Sequence, residues 1–386
     1  MTASLRALRR PLEPRRCLTA WSSKYDPLHG TPASASARRF RGSEFPAREH
    51  GSHQFWRRMM DLSLMDQPAV AADEVEIGVP QGAHALPVLI RRLGFGVDLV
   101  TWAVAHQELL ERLLLRHGAL VFQGFKINGS THFEQLIAKL YQRELLEYTN
   151  RSTPRTQVKG RIYTSTEYPP DETIPLHNEN AYTSAWPSRV FFFCMTPSSQ
   201  GGETTIADSR RVLARISPAT RARFERLGVR YVRNYGVLDL PWHEVFQTHD
   251  KGEVESFCHQ RGISCTWQSD GGLRTEEVCQ ATTVHPVTGE SVWFNQAHLF
   301  HVSSLKSDVR DALVDSMPES AWPRNAYYGD GSAIEPDVLA EIRQAFDAET
   351  VARPWQAGDV LLVDNVLAAH GRKPFTGTRK VLVGMV

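Results

Sequence analysis

The chain has 386 residues, 41% hydrophobic and 23% charged, with a formal net charge of +1. That length can bury a large core, as two domains or one big β-rich one, and the balanced charge gives no whole-protein attraction to nucleic acid or to an acidic membrane. No run approaches the ~18 consecutive apolar residues of a membrane-spanning helix, and the cysteines (Cys17, Cys194, Cys258, Cys265 and Cys279) are odd in number and lack CxxC spacing, which argues against a disulfide framework or a zinc knuckle and for a reducing, cytoplasmic compartment.

Residues 1–50 stand apart: "MTASLRALRRPLEPRRCLTAWSSKY" is rich in Arg and poor in acid, and "GTPASASARRFRG" is low in complexity. A disordered or loosely attached basic extension competes with an organelle transit peptide, and Pro11 and Pro14 interrupt the amphipathic helix that the second reading needs. A single domain is expected over 51–386. It opens on "HQFWRRMMDLSLM", whose apolar residues have helical spacing, followed by the apolar run "ALPVLIRRLG". "DLVTWAVAHQELLERLLLRHG" predicts one amphipathic helix, with Leu99, Trp102, Leu109, Leu110, Leu113 and Leu114 on one side and a stop at Gly118. "ALVFQGF" predicts a short buried strand and "THFEQLIAKLYQREL" a second helix. From Gly160 onward short β-rich runs dominate: "GRIYTSTEY", "SRVFFFCMT", "VRYVRNYGV", "ESVWFNQAHLF", "GDVLLVDNVLAAH" and "RKVLVGMV". "SDVRDALVDSM" and "EPDVLAEIRQAFDAE" read as helices packed outside. The expected fold is mainly β with flanking helices, a two-sheet jelly roll (a double-stranded β-helix) closing over a ligand-sized interior.

The chemistry starts at "TIPLHNENAYTSAWP". In a strand, residues i and i+2 face the same side, so His177 and Glu179 can both point inward. An imidazole and a carboxylate are two-thirds of the facial triad of non-haem Fe(II) oxygenases. The third ligand must come from elsewhere, and among fifteen histidines His370 stands out by context. It ends a strand in "WQAGDVLLVDNVLAAHGRKPFTGTRKVLVGM", and Arg379 lies on the approach to the next one. Such an arginine suits an acid cosubstrate that chelates the metal at one end and meets a guanidinium at the other.

In order and separation, "RSTPR", "YTSTEYPP", "LHNENAYTSAWP", "QGGETTIADSRRV", "HPVTGESVWFNQAHLFH", "PRNAYYGDGS", "WQAGDVLLVDN" and "AHGRKPFTGTRKVLVGM" resemble the TauD/TfdA-type Fe(II)/2-oxoglutarate dioxygenases, and within them the group of the syringomycin-type aspartyl hydroxylase. The resemblance implies a double-stranded β-helix with His177, Glu179 and His370 on iron. It places Arg379 on the distal carboxylate of 2-oxoglutarate, supported by Thr204 of "GGET". Glu179 departs from the commoner HxD, as in clavaminate synthase-like members, and it argues against halogenation because a carboxylate fills the position a halide would take. The implied activity consumes O2 and 2-oxoglutarate, releases succinate and CO2, and oxidises an unactivated C–H of an amino-acid-like small molecule, in specialised metabolism. Hydroxylation of an aminoacyl group on a carrier protein, and desaturation or ring closure of a free amino acid, both stay open. So does a homo-oligomer. From other classes, a non-catalytic iron or 2-oxoglutarate sensor would keep the ligands without a substrate cavity, and a zinc hydrolase would have no use for Arg379.

For substrate contact the candidates are Tyr163 and Ser165 before the HxE stretch, Asn180 beside it, Arg189, and Asn295 in "VWFNQ". A structural role is equally open for Arg189. The taurine-type relatives carry a substrate arginine four residues after the cosubstrate arginine, and here that position is Val383. His285, His298 and His301 are expected to be structural.

Overall fold

Two stretches without polar alternation, Ala119–Gln123 and Val360–Asp364, are buried along their whole length, as strands covered on both faces must be. The computed structural model describes residues 74–82, 85–147, 155–236 and 238–386. The expected extension over 1–50 and the helix expected at "HQFWRRMMDLSLM" lie outside the described residues.

The two buried strands are neighbours in an eight-stranded sheet. Its order is Val75–Gly78, Val88–Arg92, Ala119–Gln123, Val360–Asp364, Arg189–Thr196, Lys380–Met385, Ile162–Thr164 and Gln157–Lys159. All adjacent pairs are antiparallel except Val88–Arg92 with Ala119–Gln123. Side chains along these strands alternate between two cores. Phe191, Phe193, Leu362 and Leu382 pack outward under the helices Leu99–Ala105, Gln107–His117 and Gly129–Tyr141. Phe192, Leu361, Val363, Val381 and Val383 point inward and meet Ile206 and Ala368. The latter two belong to a four-stranded sheet ordered Val351–Ala352, Thr204–Asp208, Ala368–Arg372 and Ile174–His177. Two sheets packed across one shared core are the expected jelly roll. Residues between Thr204–Asp208 and Val351–Ala352 add a second four-stranded sheet and the helices Ser307–Ser316 and Pro336–Glu349.

Two expectations change. The single amphipathic helix is two, Leu99–Ala105 and Gln107–His117, divided at His106 (φ −114°, ψ 23°). The His106 ring takes a local partner, with Nδ1 2.8 Å from the Trp102 carbonyl oxygen, and stacks on the Trp102 ring. The stop at Gly118 holds, through a left-handed φ of 76°. "GDVLLVDNVLAAH" is also two strands, in different sheets. Asp364 Oδ1 accepts the N–H groups of Val366 and Leu367, both at 3.0 Å, and turns the chain from one sheet to the other.

Arg189 opens the strand Arg189–Thr196, and its guanidinium is occupied there. It pairs with Asp364 at 2.8 Å and Glu111 at 3.0 Å, and His285 Nε2 lies 3.1 Å from the same Asp364 oxygen. The candidate substrate arginine is therefore a brace beneath the sheet turn. Burial opposes ionisation of Asp364, but Arg189 and His285 outweigh it and hold its pKa below the usual carboxylate value. Asp364 thus contributes stability that is present above its unfolded pKa of about 3.9 and is lost as pH falls through the lower folded value. Arg189→Met should cost ~3–5 kcal/mol at pH 7 by stranding that buried charge. Urea denaturation at several pH values should show the gap to the wild type narrowing below pH ~4, as Asp364 is protonated. A gap that stays constant, or widens in acid, would refute the pairing.

Candidate metal centre

His177 ends the strand Ile174–His177, and His370 lies in the middle of Ala368–Arg372. The two strands are antiparallel neighbours in which His370 pairs directly with His177, so their rings stand 4.6 Å apart. Glu179 was expected further along the same strand, but the strand ends at His177 and Glu179 sits in the turn that follows. Its direction is set by a side-chain clamp. Asn365 Oδ1 accepts the Glu179 N–H at 2.7 Å, and Asn365 Nδ2 donates to the carbonyls of Glu179 and Pro187, each at 2.9 Å. Asn178 Nδ2 donates in turn to the Asn365 carbonyl at 2.6 Å. Asn180 continues the turn with a left-handed φ of 57°.

One ligand atom from each of His177, Glu179 and His370 lies within 4.8 Å of the other two. His177 Nδ1 is 2.8 Å from the Pro175 carbonyl oxygen, which fits an Nδ1–H donor and leaves Nε2 with its lone pair for a metal. Burial, then His370, pull the His177 pKa down to about 4, so its imidazole is neutral and ready to ligate. Burial alone would raise Glu179. Arg155, with Nη2 2.8 Å from Oε2, and then His370 hold it far below the usual carboxylate range instead. Two imidazoles and one ionised carboxylate on one side of a buried cleft form a donor set for a divalent metal, with coordination positions left over. Arg155 itself carried no role in the sequence reading. It precedes Glu179 by 24 residues and reaches it only through the fold, so no local spacing could have pointed to it.

The wall of the cleft in front of the triad includes Ser165, Phe192, Thr204, Arg379 and Val383. Arg379 makes its hydrogen bonds to neutral acceptors: Nε to the Gly202 carbonyl at 2.9 Å, Nη1 to Ser165 Oγ at 3.2 Å, and Nη2 to Thr204 Oγ1 at 3.5 Å. Burial, then Arg372, lower its pKa to about 10, which still leaves it charged at neutral pH. A half-buried cation held by neutral groups suits an incoming carboxylate. The "GGET" stretch makes room for it. Gly202 has a φ of 71°, and a Cβ there would lie 3.0 Å from Arg379 Cδ and 2.9 Å from Phe375 Cβ. Metal ligands at one end and an anion receptor on the same wall fit iron and 2-oxoglutarate together.

Of the five substrate candidates, only Ser165 lines this cleft, and its hydroxyl serves Arg379. Tyr163 is buried in the inner core opposite Val383. Asn180 accepts from the Tyr182 hydroxyl at 3.4 Å. Asn295 is fully buried, donating to the Ala281 carbonyl at 2.7 Å and accepting the Ala297 N–H at 3.0 Å, so it braces a turn. Arg189 is bound in the ion pairs described above. His285 serves Asp364, His298 Nε2 lies 3.0 Å from the Leu176 carbonyl oxygen, and His301 Nδ1 accepts the Ser303 N–H at 3.1 Å. Among the described residues no helix is long and apolar enough to cross a membrane.

Comparison with known proteins adds a family match: the profile described as "Taurine catabolism dioxygenase TauD, TfdA family" matches residues 84–386. The dapdiamide synthesis protein DdaC of Enterobacter agglomerans is 44% identical over 278 residues, covering 72% of this chain and 84% of that protein. A clavaminate synthase-like protein of Arabidopsis thaliana is 31% identical over 348 residues, 85% of this chain and 99% of that protein. Among solved structures, the PvcB protein of Pseudomonas aeruginosa aligns with a TM-score of 0.48 at 15% identity, over 83% of this chain and 94% of that one.

Proposed function

This chain belongs to the TauD/TfdA family of Fe(II)/2-oxoglutarate-dependent dioxygenases, and from that premise we propose that it hydroxylates an unactivated C–H of an amino-acid-like substrate in the making of a specialised metabolite. The balance is one substrate, one O2 and one 2-oxoglutarate to hydroxylated product, succinate and CO2. Iron and 2-oxoglutarate supply the oxidising power when bound, and the chain's part is to bind, orient and enclose. His177 Nε2, His370 and the Glu179 carboxylate hold the metal. The Asn365 clamp and Arg155 keep that carboxylate turned toward the two imidazoles. Arg379 and Thr204 hold the distal carboxylate of 2-oxoglutarate, and this binding fixes the cosubstrate relative to the triad.

The observation that carries this reading is a ligand triad two of whose members, His177 and His370, line the same cleft as Arg379. A zinc hydrolase would need the triad without a buried arginine beside it. The specialised-metabolite setting is supported by the similarity to the dapdiamide synthesis protein. The free thiols of Cys194, Cys258, Cys265 and Cys279 fit a reducing, cytoplasmic setting.

Anaerobic addition of Fe(II) and 2-oxoglutarate should produce the visible charge-transfer band of a chelated 2-oxo acid. A panel of amino acids, each free and loaded on a carrier protein, should then contain one member that stimulates succinate release in air. Stimulation by the loaded form alone assigns a carrier-bound aminoacyl group, and stimulation by the free form assigns a free amino acid. No band would sink the oxygenase reading, and a band with no stimulation by any member would sink the amino-acid assignment.

A further inference from the structure

The cleft that faces the triad ends at Thr204. Behind it, between the same two sheets, lies a second, water-sized cavity of about 20 Å³, bounded by Val121, Ile206, Arg353, Leu361 and Asp359. Thr204 borders both cavities, and Trp355 borders the second. The two side chains are joined, with Trp355 Nε1–H donating to Thr204 Oγ1 at 3.2 Å. We propose that Thr204 and Trp355 form the end wall of the cosubstrate site and set the length of the 2-oxo acid it accepts. This rests on the 2-oxoglutarate site proposed above.

A hydroxyl has one hydrogen to give and two lone pairs to receive with. Thr204 Oγ1 receives from Trp355 at 3.2 Å and from Arg379 at 3.5 Å. With its acceptor side served, the hydroxyl is left to donate, and the group it would meet in the cleft is the carboxylate that Arg379 attracts. Trp355 is thus a positioning residue acting through Thr204, with its ring closing the passage behind. An acid one methylene longer would have to push its carboxylate through this wall. The far cavity is water-sized and is lined by Arg353 as well as Asp359, so the barrier is steric.

Titration of the anaerobic Fe(II) protein with 2-oxoglutarate and with 2-oxoadipate, followed through the charge-transfer band, reads the wall directly. Trp355→Phe keeps a ring but removes the donor, and should weaken 2-oxoglutarate binding about 5-fold, the worth of one hydrogen bond. In steady state it should raise the KM for 2-oxoglutarate more than it lowers kcat. In a Thr204→Val background the same change should cost less than about twofold, because the hydroxyl it orients is gone. Trp355→Leu opens the wall and should move the 2-oxoadipate to 2-oxoglutarate affinity ratio at least ~10-fold toward the longer acid, the usual worth of a methylene in a fitted pocket. Equal costs of Trp355→Phe in both backgrounds, or an unmoved ratio in a folded Trp355→Leu protein, overturns the proposal. If the leucine variant does not fold, the phenylalanine cycle decides alone. A wild type without any band would mean that the cosubstrate site itself is wrong, a result distinct from a normal band indifferent to Trp355.

Discussion

His177→Ala is expected to abolish turnover, with iron lost from the protein on desalting and succinate release falling to the level without enzyme. Removing a partner that merely orients a metal-bound histidine costs 10–100-fold in metal affinity or activity, so deleting one of three ligands should exceed ~10²-fold. The fold should survive, because the His177 side chain makes its hydrogen bond to Pro175, two residues away. The strand is held from both ends, by the pairing of Ile174 with Arg372 at one and by the Asn178–Asn365 contact just beyond the other. Iron content and the thermal midpoint of the metal-free protein should therefore separate cleanly. Full activity in this variant would remove His177 from the metal centre and with it the triad.

Arg379→Ala is expected to act on the cosubstrate and spare the metal. If the guanidinium meets the distal carboxylate in a buried pair, its loss should weaken 2-oxoglutarate by ~2–5 kcal/mol, or about 30- to 4000-fold in affinity. Iron binding measured without 2-oxoglutarate should change little. The contrast with Arg189→Met is informative, since both remove a half-buried arginine beside the same sheet. Arg189 leaves the buried Asp364 carboxylate behind, whereas the hydrogen-bond partners of Arg379 are neutral. Arg189→Met should thus cost stability and Arg379→Ala binding. An Arg379→Ala protein that binds 2-oxoglutarate normally but unfolds readily would reverse that assignment.

Helix stops, strand runs and the order of the motif stretches were legible in the sequence because each depends on a few neighbouring residues. Gly118 in the left-handed region is one such local signal, and the apolar run of Arg189–Thr196 is another. The division of that strand's side chains between two cores was hidden, since Phe191, Phe192 and Phe193 look alike in sequence while facing alternate sides. His106 broke an expected helix through a side-chain contact that periodicity does not register. Two of the substrate candidates, Arg189 and Asn295, lie away from the cleft for a related reason: buried polar groups are usually consumed by structural partners, as both are here.

By itself, then, the sequence determined which residues are candidates for the metal centre and for the cosubstrate arginine, because His177, Glu179, His370 and Arg379 stand in short motif stretches whose order is visible in the chain. Only the tertiary structure decided how Glu179 is aimed. It sits past the strand end, held by Asn365 across 186 residues of chain and by Arg155 at its carboxylate. Strand periodicity reaches as far as His177. Beyond it, direction is set by hydrogen bonds between segments that only folding brings together, and the same is true of the contact between Trp355 and Thr204.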